Sequence, residues 1–335
     1  MMELTTPKNR LKLREAISEE LGFLAVSELE SHTDSDLENC YQDFLNGIFR
    51  HTASGLLNGQ VIFKPFIRGG EIRFSVVTPE NFKILLWDEQ QKIPVTTEFY
   101  EHRGDFTRVE THEITNSGYS VTNRVLDKKG REMSQFPDVF NGYSKQVLIS
   151  SVTKPLFGLF CTKDGLPVFN RAEELIFDAE KQYERLLWEF ESGERALYVS
   201  DTAFLRDFKG KPKIPDKRLY RLLSSTDELF KDWTPQIRDT AILNGLDAIL
   251  KRIEDCVGIS RGTFSDISAS PRTATELKMS RHRTYSAVCE IQKALKTAIC
   301  GMLYGAAVLL CLYEGRKTTE VNTDFNFGDS VLDVA

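Results

Sequence analysis

Residues able to do chemistry are scattered through this chain rather than gathered. The five histidines, His32, His51, His102, His112 and His282, fall in different stretches. Thr111-His112-Glu113 comes nearest to an acid–base pair. Alternation along a strand sends His112 and Glu113 to opposite faces, so a surface histidine is expected there. The six cysteines, Cys40, Cys161, Cys256, Cys289, Cys300 and Cys311, contain no Cys-x-x-Cys pair, so reduced thiols and no zinc site are expected. Cys289, Cys300 and Cys311 recur at a spacing that stacks them on one side of a helix. Steps of roughly 16 Å are too long to share an ion, so they read as buried small apolar residues. Gly-x-Ser-x-Gly, His-Glu-x-x-His and Gly-x-x-x-x-Gly-Lys-Ser/Thr are all absent, and Lys209-Gly210-Lys211-Pro212-Lys213 lacks the spacing of a phosphate loop. The sequence assigns no catalytic residue, no metal and no cofactor.

Composition sets the bounds. With 335 residues, 41% apolar and 27% charged, the chain is globular in composition and long enough for two or three cores. Its formal net charge of −6 does not call for nucleic acid as a tightly held partner. It does not exclude one either, since a protein along which DNA must slide gains from few phosphate contacts. Against that acidic background, residues 206–221 carry seven basic residues (Arg206, Lys209, Lys211, Lys213, Lys217, Arg218 and Arg221) and two acidic ones, a local charge of +5. A solvated loop and a docking surface for an acidic partner both fit that run. The uncharged stretch from Ala298 to Tyr313, with Gly301-x-x-x-Gly305, is shorter than the roughly 18–20 residues of a membrane span. It reads as a buried helix that packs closely through its glycines.

The hydrophobic period sets out the elements that must position these residues. Helices are expected over residues 13–29 and 36–57, the second with Leu37, Tyr41, Phe44, Ile48 and Leu56 on one face and Asn58-Gly59 as its stop. From Gln60 the period becomes two. Strands over residues 61–67 and 72–77 flank Arg68-Gly69-Gly70, and others follow at 95–101, 106–114, 119–126 and 146–149. This is an antiparallel meander beside one helical layer, an α+β unit. Residues 154–165 read as a connector. Residues 168–194 read as a helix whose Ala172, Ile176, Ala179, Tyr183, Leu186 and Phe190 form an a/d seam able to pack beside copies of itself. Its other faces, Glu180 and Glu189 included, read as solvated. A short strand at 197–199 leads into the basic module, residues 201–233. Thr234-Pro235 then has the form of an N-cap and first-turn proline, and Ile242, Leu246, Ile249, Leu250, Ile253 and Val257 recur at helical spacing up to Gly258. A Gly/Ser/Thr-rich loop, residues 258–270, follows, and few contacts are expected to hold residues 262–271 before assembly. Thr273-Ala274-Thr275-Glu276 has capping-box form and opens a helix expected to reach about Tyr313. Residues 321–334 alternate as a returning strand.

Specific words in this order resemble the portal proteins of tailed bacteriophages, in the branch found in phages and prophages of Gram-positive bacteria. They include Phe63-Lys64-Pro65-Phe66, Phe106-Thr107-Arg108-Val109-Glu110-Thr111-His112, Val121-Thr122-Asn123-Arg124 and Pro155-Leu156-Phe157-Gly158-Leu159-Phe160. Trp188-Glu189-Phe190-Glu191-Ser192-Gly193, Pro235-Gln236-Ile237-Arg238, Gly262-Thr263-Phe264-Ser265, Thr273-Ala274-Thr275-Glu276, Arg283-Thr284-Tyr285 and Phe327-Gly328-Asp329-Ser330 continue the series. The connector from Phe160 to Val168 is shorter than in that family, and both ends look truncated relative to it.

The resemblance implies a homo-oligomeric ring, typically of twelve subunits, at one capsid vertex, through which double-stranded DNA is packaged and ejected. It implies a polar segment at 1–19, a wing at 20–165, stem helices at 166–200 and 234–258, and a clip at 201–233. A tunnel loop at 259–272, a long helix at 273–316 and a returning wing strand at 317–335 complete the set. On that mapping Ser265, Ser268 and Ser270 would brush the DNA backbone, Asp266 would repel it, and Arg261 and Arg272 at the loop's base would contact it, with Gly262 and Pro271 bracketing the loop. Lys209, Lys211, Lys213, Lys217 and Arg218 would dock a terminase (packaging ATPase) or head-completion proteins. Capsid and scaffolding proteins would be further partners, the virion and the host cytoplasm the location, and no membrane is implied. A non-viral α+β scaffold without a channel, and an enzyme with a dispersed active site, are the competing classes.

Overall fold

The change of hydrophobic period after Asn58 marks a structural junction. The computed structural model describes residues 10–34, 36–150, 152–200, 205, 206, 209, 211, 219–223, 230–266, 274–316 and 321–328. The elements begin with α1 (Leu13–Val26), β1 (Glu30–Thr33), α2 (Glu38–Leu45), α3 (Ile48–Asn58), β2 (Gln60–Arg68), β3 (Glu71–Val77) and β4 (Phe82–Asp88). Next come β5 (Ile93–Arg103), β6 (Phe106–Thr115), β7 (Gly118–Leu126), β8 (Gln146–Ile149) and β9 (Gly158–Cys161). Then follow α4 (Glu173–Ser192), β10 (Ala196–Ser200), β11 (Tyr220–Leu223), β12 (Phe230–Trp233), α5 (Asp239–Val257), α6 (Ala274–Glu314) and β13 (Thr323–Asn326). The chain is α+β and splits into a larger unit (Leu13–Arg171, Val257–Ser260 and Arg272–Ala335) and a smaller one (Met1–Lys12, Ala172–Cys256 and Arg261–Pro271).

In the larger unit, β4 to β8 form the expected antiparallel meander, in that order. The hairpin of β2 and β3 turns through Gly69 and Gly70, both at positive φ, and β9 joins its other side. β1 pairs with β13, the returning strand. Three strands depart from the sequence reading. β4 was hidden because Ile84-Leu85-Leu86-Trp87 does not alternate, and a register shift between Ile84 and Leu86 accommodates the extra residue. β1 was hidden in a short polar run, and β9 lies inside what reads as a connector. The single helix expected over 36–57 is two helices: the Gly47 N–H bonds back to the Phe44 carbonyl at 3.0 Å, tightening the last turn of α2 before α3 starts. Gly59, at φ +80°, stops α3 as expected.

Helix α6 is the core of this unit. Leu295, Ala298, Ile299, Met302 and Ala306 are fully buried on it. Its length and apolar composition would suffice to cross a membrane, but its glycines instead receive the backbone of Leu156–Gly158. A Cβ on Gly158 would collide with the Ala298 carbonyl, and one on Gly305 with the Leu156 carbonyl. Close packing through Gly301 and Gly305 is therefore what the fold uses. The cysteine reading needs correction, because Cys289 and Cys311 are only half-buried and Cys300 is exposed.

In the smaller unit β10 runs parallel to β11 and antiparallel to β12, the order being β11-β10-β12. Both helices start later than the sequence suggests. α4 begins at Glu173 rather than near Val168. Thr234 does not cap α5: its hydroxyl bonds Asp232 at 3.1 Å, and the helix begins at Asp239, after Arg238.

Gly158→Ala tests the packing core. Overfilling a close contact typically costs about 1–3 kcal/mol, and a drop of that size is expected in denaturant melts. Gly104→Ala, with open space around its Cβ, should cost only its positive φ, about 1 kcal/mol.

Candidate functional site

The loop after α5 is the stretch to which the resemblance assigns the DNA-facing residues. Gly258 ends the helix at φ +81°, and in the larger unit Ser260 Oγ lies 3.0 Å from Thr284 Oγ1. In the smaller unit the loop closes over Glu254, whose side chain has no solvent exposure. Its Oε1 accepts the N–H groups of Phe264 (2.6 Å), Ser265 (2.9 Å) and Gly262 (3.2 Å). Its Oε2 accepts the Ser265 hydroxyl at 2.7 Å. A buried carboxylate must be met by several donors, and successive backbone N–H groups supply them. Gly262, at φ +96°, adopts the left-handed geometry that this turn needs.

Two further contacts fix the loop's start. The Arg261 guanidinium pairs with Asp255 at 2.6 Å. The Asp266 N–H donates to Asp247 Oδ1 at 2.8 Å, while Lys251 pairs with the same carboxylate at 2.5 Å and holds it below its usual range. The expectation that few contacts hold this loop is therefore wrong for residues 262–266. Ser265 is also misread: it is buried and its hydroxyl is engaged by Glu254, so it cannot brush a DNA backbone. Asp266 is exposed. Ser268, Ser270 and Arg272 lie outside the described residues. Chemically the arrangement is a clamp, since Glu254 is surrounded by donors that hold it as an acceptor.

Of the expected seam, Ala172 just before α4 and Ile176, Ala179 and Leu186 on it are buried, and Tyr183 is half-buried. Phe190 departs from it at 46% exposed, and Trp188 is 62% exposed. The two glutamates read as solvated are buried instead. Glu180 accepts the N–H groups of Arg10 and Leu11 at 3.0 and 2.9 Å. Glu189 accepts the Arg238 N–H at 3.1 Å and pairs with its guanidinium at 2.8 Å, which lowers the carboxyl below its usual range. Gln182, Arg185, Trp188, Ala241 and Ile242 surround that pair in a groove of about 400 Å³. In the basic module Lys209 and Lys211 are exposed, and Lys213, Lys217 and Arg218 lie outside the described residues.

The sequence reading missed a buried polar cluster in the larger unit. His112, expected at the surface, is 6% exposed. Arg108, Glu110 and His112 share the inward face of β6, and Lys64 reaches them from β2, its Nζ 2.8 Å from Glu110. The signal was present as an Arg-x-Glu-x-His alternation, but pairing His112 with its immediate neighbour Glu113 looked across the strand instead of along it. Among the described residues no group of His, Cys, Asp and Glu could hold a metal ion.

No family model matches the chain, and no curated protein matches it. Among solved structures it is similar to an HK97 family phage portal protein from Corynebacterium diphtheriae, at 11% identity and a TM-score of 0.40 over 96% of this chain and 94% of that one. A score of 0.40 does not define a common fold.

Replacing Glu254 by Gln would turn an NH2 group toward backbone donors. Amide exchange at Gly262, Phe264 and Ser265 should rise by an order of magnitude or more, with a stability loss of about 1–3 kcal/mol. Unchanged protection in exchange mass spectrometry would mean that the carboxylate does not hold the loop.

Proposed function

We propose that this chain is a portal-type structural protein. It assembles into a homo-oligomeric ring, with twelve copies as the expected number, at one vertex of a phage capsid. Double-stranded DNA passes through the bore during packaging and ejection, and the chain itself makes and breaks no bonds. The resemblance of the sequence words supports this reading. The observation that carries it lies in the smaller unit: two long helices flank a small inserted sheet, and aromatic side chains stand out from the first helix into solvent. Phe177, Trp188 and Phe190 on α4, with Leu243 on α5, are each between 38% and 62% exposed. Scattered exposed apolar residues need no explanation, but large aromatics on one helix suit an interface core. Neighbouring copies would cover them in a ring.

On this reading the basic module faces a packaging ATPase or a head-completion protein. Capsid and scaffolding proteins surround the ring, and assembly takes place in the host cytoplasm before the protein resides in the virion. The loop at 259–272 faces the bore. Its clamped first half, with the Arg261–Asp255 pair neutralised, would leave Asp266 and the residues after it to meet DNA.

Two substitutions test the reading. Trp188→Glu with Phe190→Glu should abolish assembly, measured as particle mass by light scattering, and leave the unfolding free energy of the separated chain within about 0.5 kcal/mol of wild type, as surface changes usually do. Reversal of Lys209, Lys211 and Lys213 to Glu should leave particle mass intact and weaken motor binding at low salt, where surface charge acts most strongly. Normal assembly of the aromatic variant would remove the interface, and normal motor binding by the reversed one would remove the docking surface.

A further inference from the structure

A polar cluster lies between the two sheets of the larger unit. Lys64 on β2 and Arg108 on β6 are its inner cations, Glu110 on β6 and Glu101 on β5 are its carboxylates, and Arg103 on β5 pairs with Glu101 at the outer end. Arg108 meets Glu110 at 2.9 Å and Glu101 at 2.7 Å. The Arg108 guanidinium also lies 4.0 Å from the centre of the Tyr143 ring. His112 joins the cluster through Nε2, 2.6 Å from Glu110 Oε1. Its Nδ1 lies 2.7 Å from the Tyr119 hydroxyl oxygen on β7, and that oxygen also faces the Leu156 N–H at 3.3 Å. Phe99 and Phe157 pack edge-on to the imidazole, at 5.0 and 6.0 Å. On its far side Tyr119 packs with Val152, Leu156, Val308 and the half-buried Tyr304, the last two from α6.

These contacts fix the protons. The ionised Glu110 can only accept, so the neutral imidazole carries its proton on Nε2 and donates it there. Nδ1 is then the acceptor of the Tyr119 hydroxyl hydrogen, while the Tyr119 oxygen accepts the Leu156 N–H. Every donor in the chain from Leu156 to Glu110 has one acceptor.

We propose that His112 and Tyr119 form an acid-sensitive latch, which ties the Leu156 segment to the five-stranded sheet at neutral pH and loosens it in mild acid. A proton added at Nδ1 turns that acceptor into a donor. The Tyr119 oxygen can then receive both neighbours, but its own hydrogen loses its acceptor in a side chain that is 1% exposed. The cluster, whose Lys64, Arg108 and Arg103 already face only Glu110 and Glu101, also gains a further cation. Burial holds the imidazole below its ordinary range, so the opened segment binds the proton more readily than the closed one. Closure is therefore complete above about pH 6.5 and is lost as pH falls from there toward the closed-state value. Burial works to raise Glu110, but Lys64, His112 and Arg108 hold it well below the usual carboxylate range, so it stays ionised through this window.

Amide exchange at Leu156, corrected for the intrinsic pH dependence, tests the latch between pH 7 and pH 5. In the wild-type chain opening should increase by about tenfold for each pH unit between the two imidazole values. His112→Gln can still donate toward Glu110 but cannot take up a proton, and its exchange should be flat. If that variant fails to fold, imidazole nitrogen shifts of the wild type replace it: an Nε2–H tautomer at pH 7 should titrate together with loss of Leu156 protection. Constant protection in the wild type, the same pH dependence in His112→Gln, or an imidazole titration separate from Leu156 exchange would each overturn the latch.

Discussion

The larger unit depends on one close approach, between the backbone of Leu156–Gly158 and helix α6. Two peptide chains can come that near only where side chains are missing on both sides, which is why Gly158, Gly301 and Gly305 meet there. The contact sets the position of β9, since Gly158 is both its first residue and the partner of Phe63 on β2. It also seats a helix whose Leu295, Ile299 and Met302 would otherwise face water, at about 1.5–3 kcal/mol for each such side chain fully buried. Through Leu156 and Tyr119 the same segment touches the five-stranded sheet. One strand, one helix and two sheets therefore share a hinge of a few residues.

Charge is used differently in the two units. In the larger one, opposite charges are buried together and neutralise each other around Glu110. In the smaller one, buried acids serve as acceptors for backbone N–H groups: Glu180 for Arg10 and Leu11, Glu189 for Arg238, and Glu254 for the loop. A carboxylate that gathers donors organises irregular backbone where no helix or sheet ladder can, and each one here fixes a segment lying outside regular structure. The surface of the smaller unit is left with exposed aromatics on α4 and with Leu243 exposed on α5.

Periodicity made much of the fold legible. The β2–β3 hairpin, the strands β5 to β8, the Gly59 and Gly258 stops and the extent of α6 all follow from alternation, helical spacing and glycine punctuation. β4 was not legible, because a bulge interrupts its alternation, and β9 was not, because its glycine serves a contact made elsewhere in the chain. The late start of α5 came from long-range chemistry, since Glu189 occupies the Arg238 N–H that a helix would have turned inward. The loop's character was not legible: Ser265 looks like a small exposed hydroxyl until Glu254, eleven residues earlier, closes on it. His112 was misjudged because burial depends on what the facing sheet brings, and Lys64 lies far from it in sequence.

The central functional claim is assembly around a bore. Electron-microscope images of the purified chain, classified by rotational symmetry, test it most directly. Closed rings with a central hole wide enough for duplex DNA are the expected result, with symmetry near twelvefold. Particles that remain single chains, or that associate without a through-going hole, would contradict it.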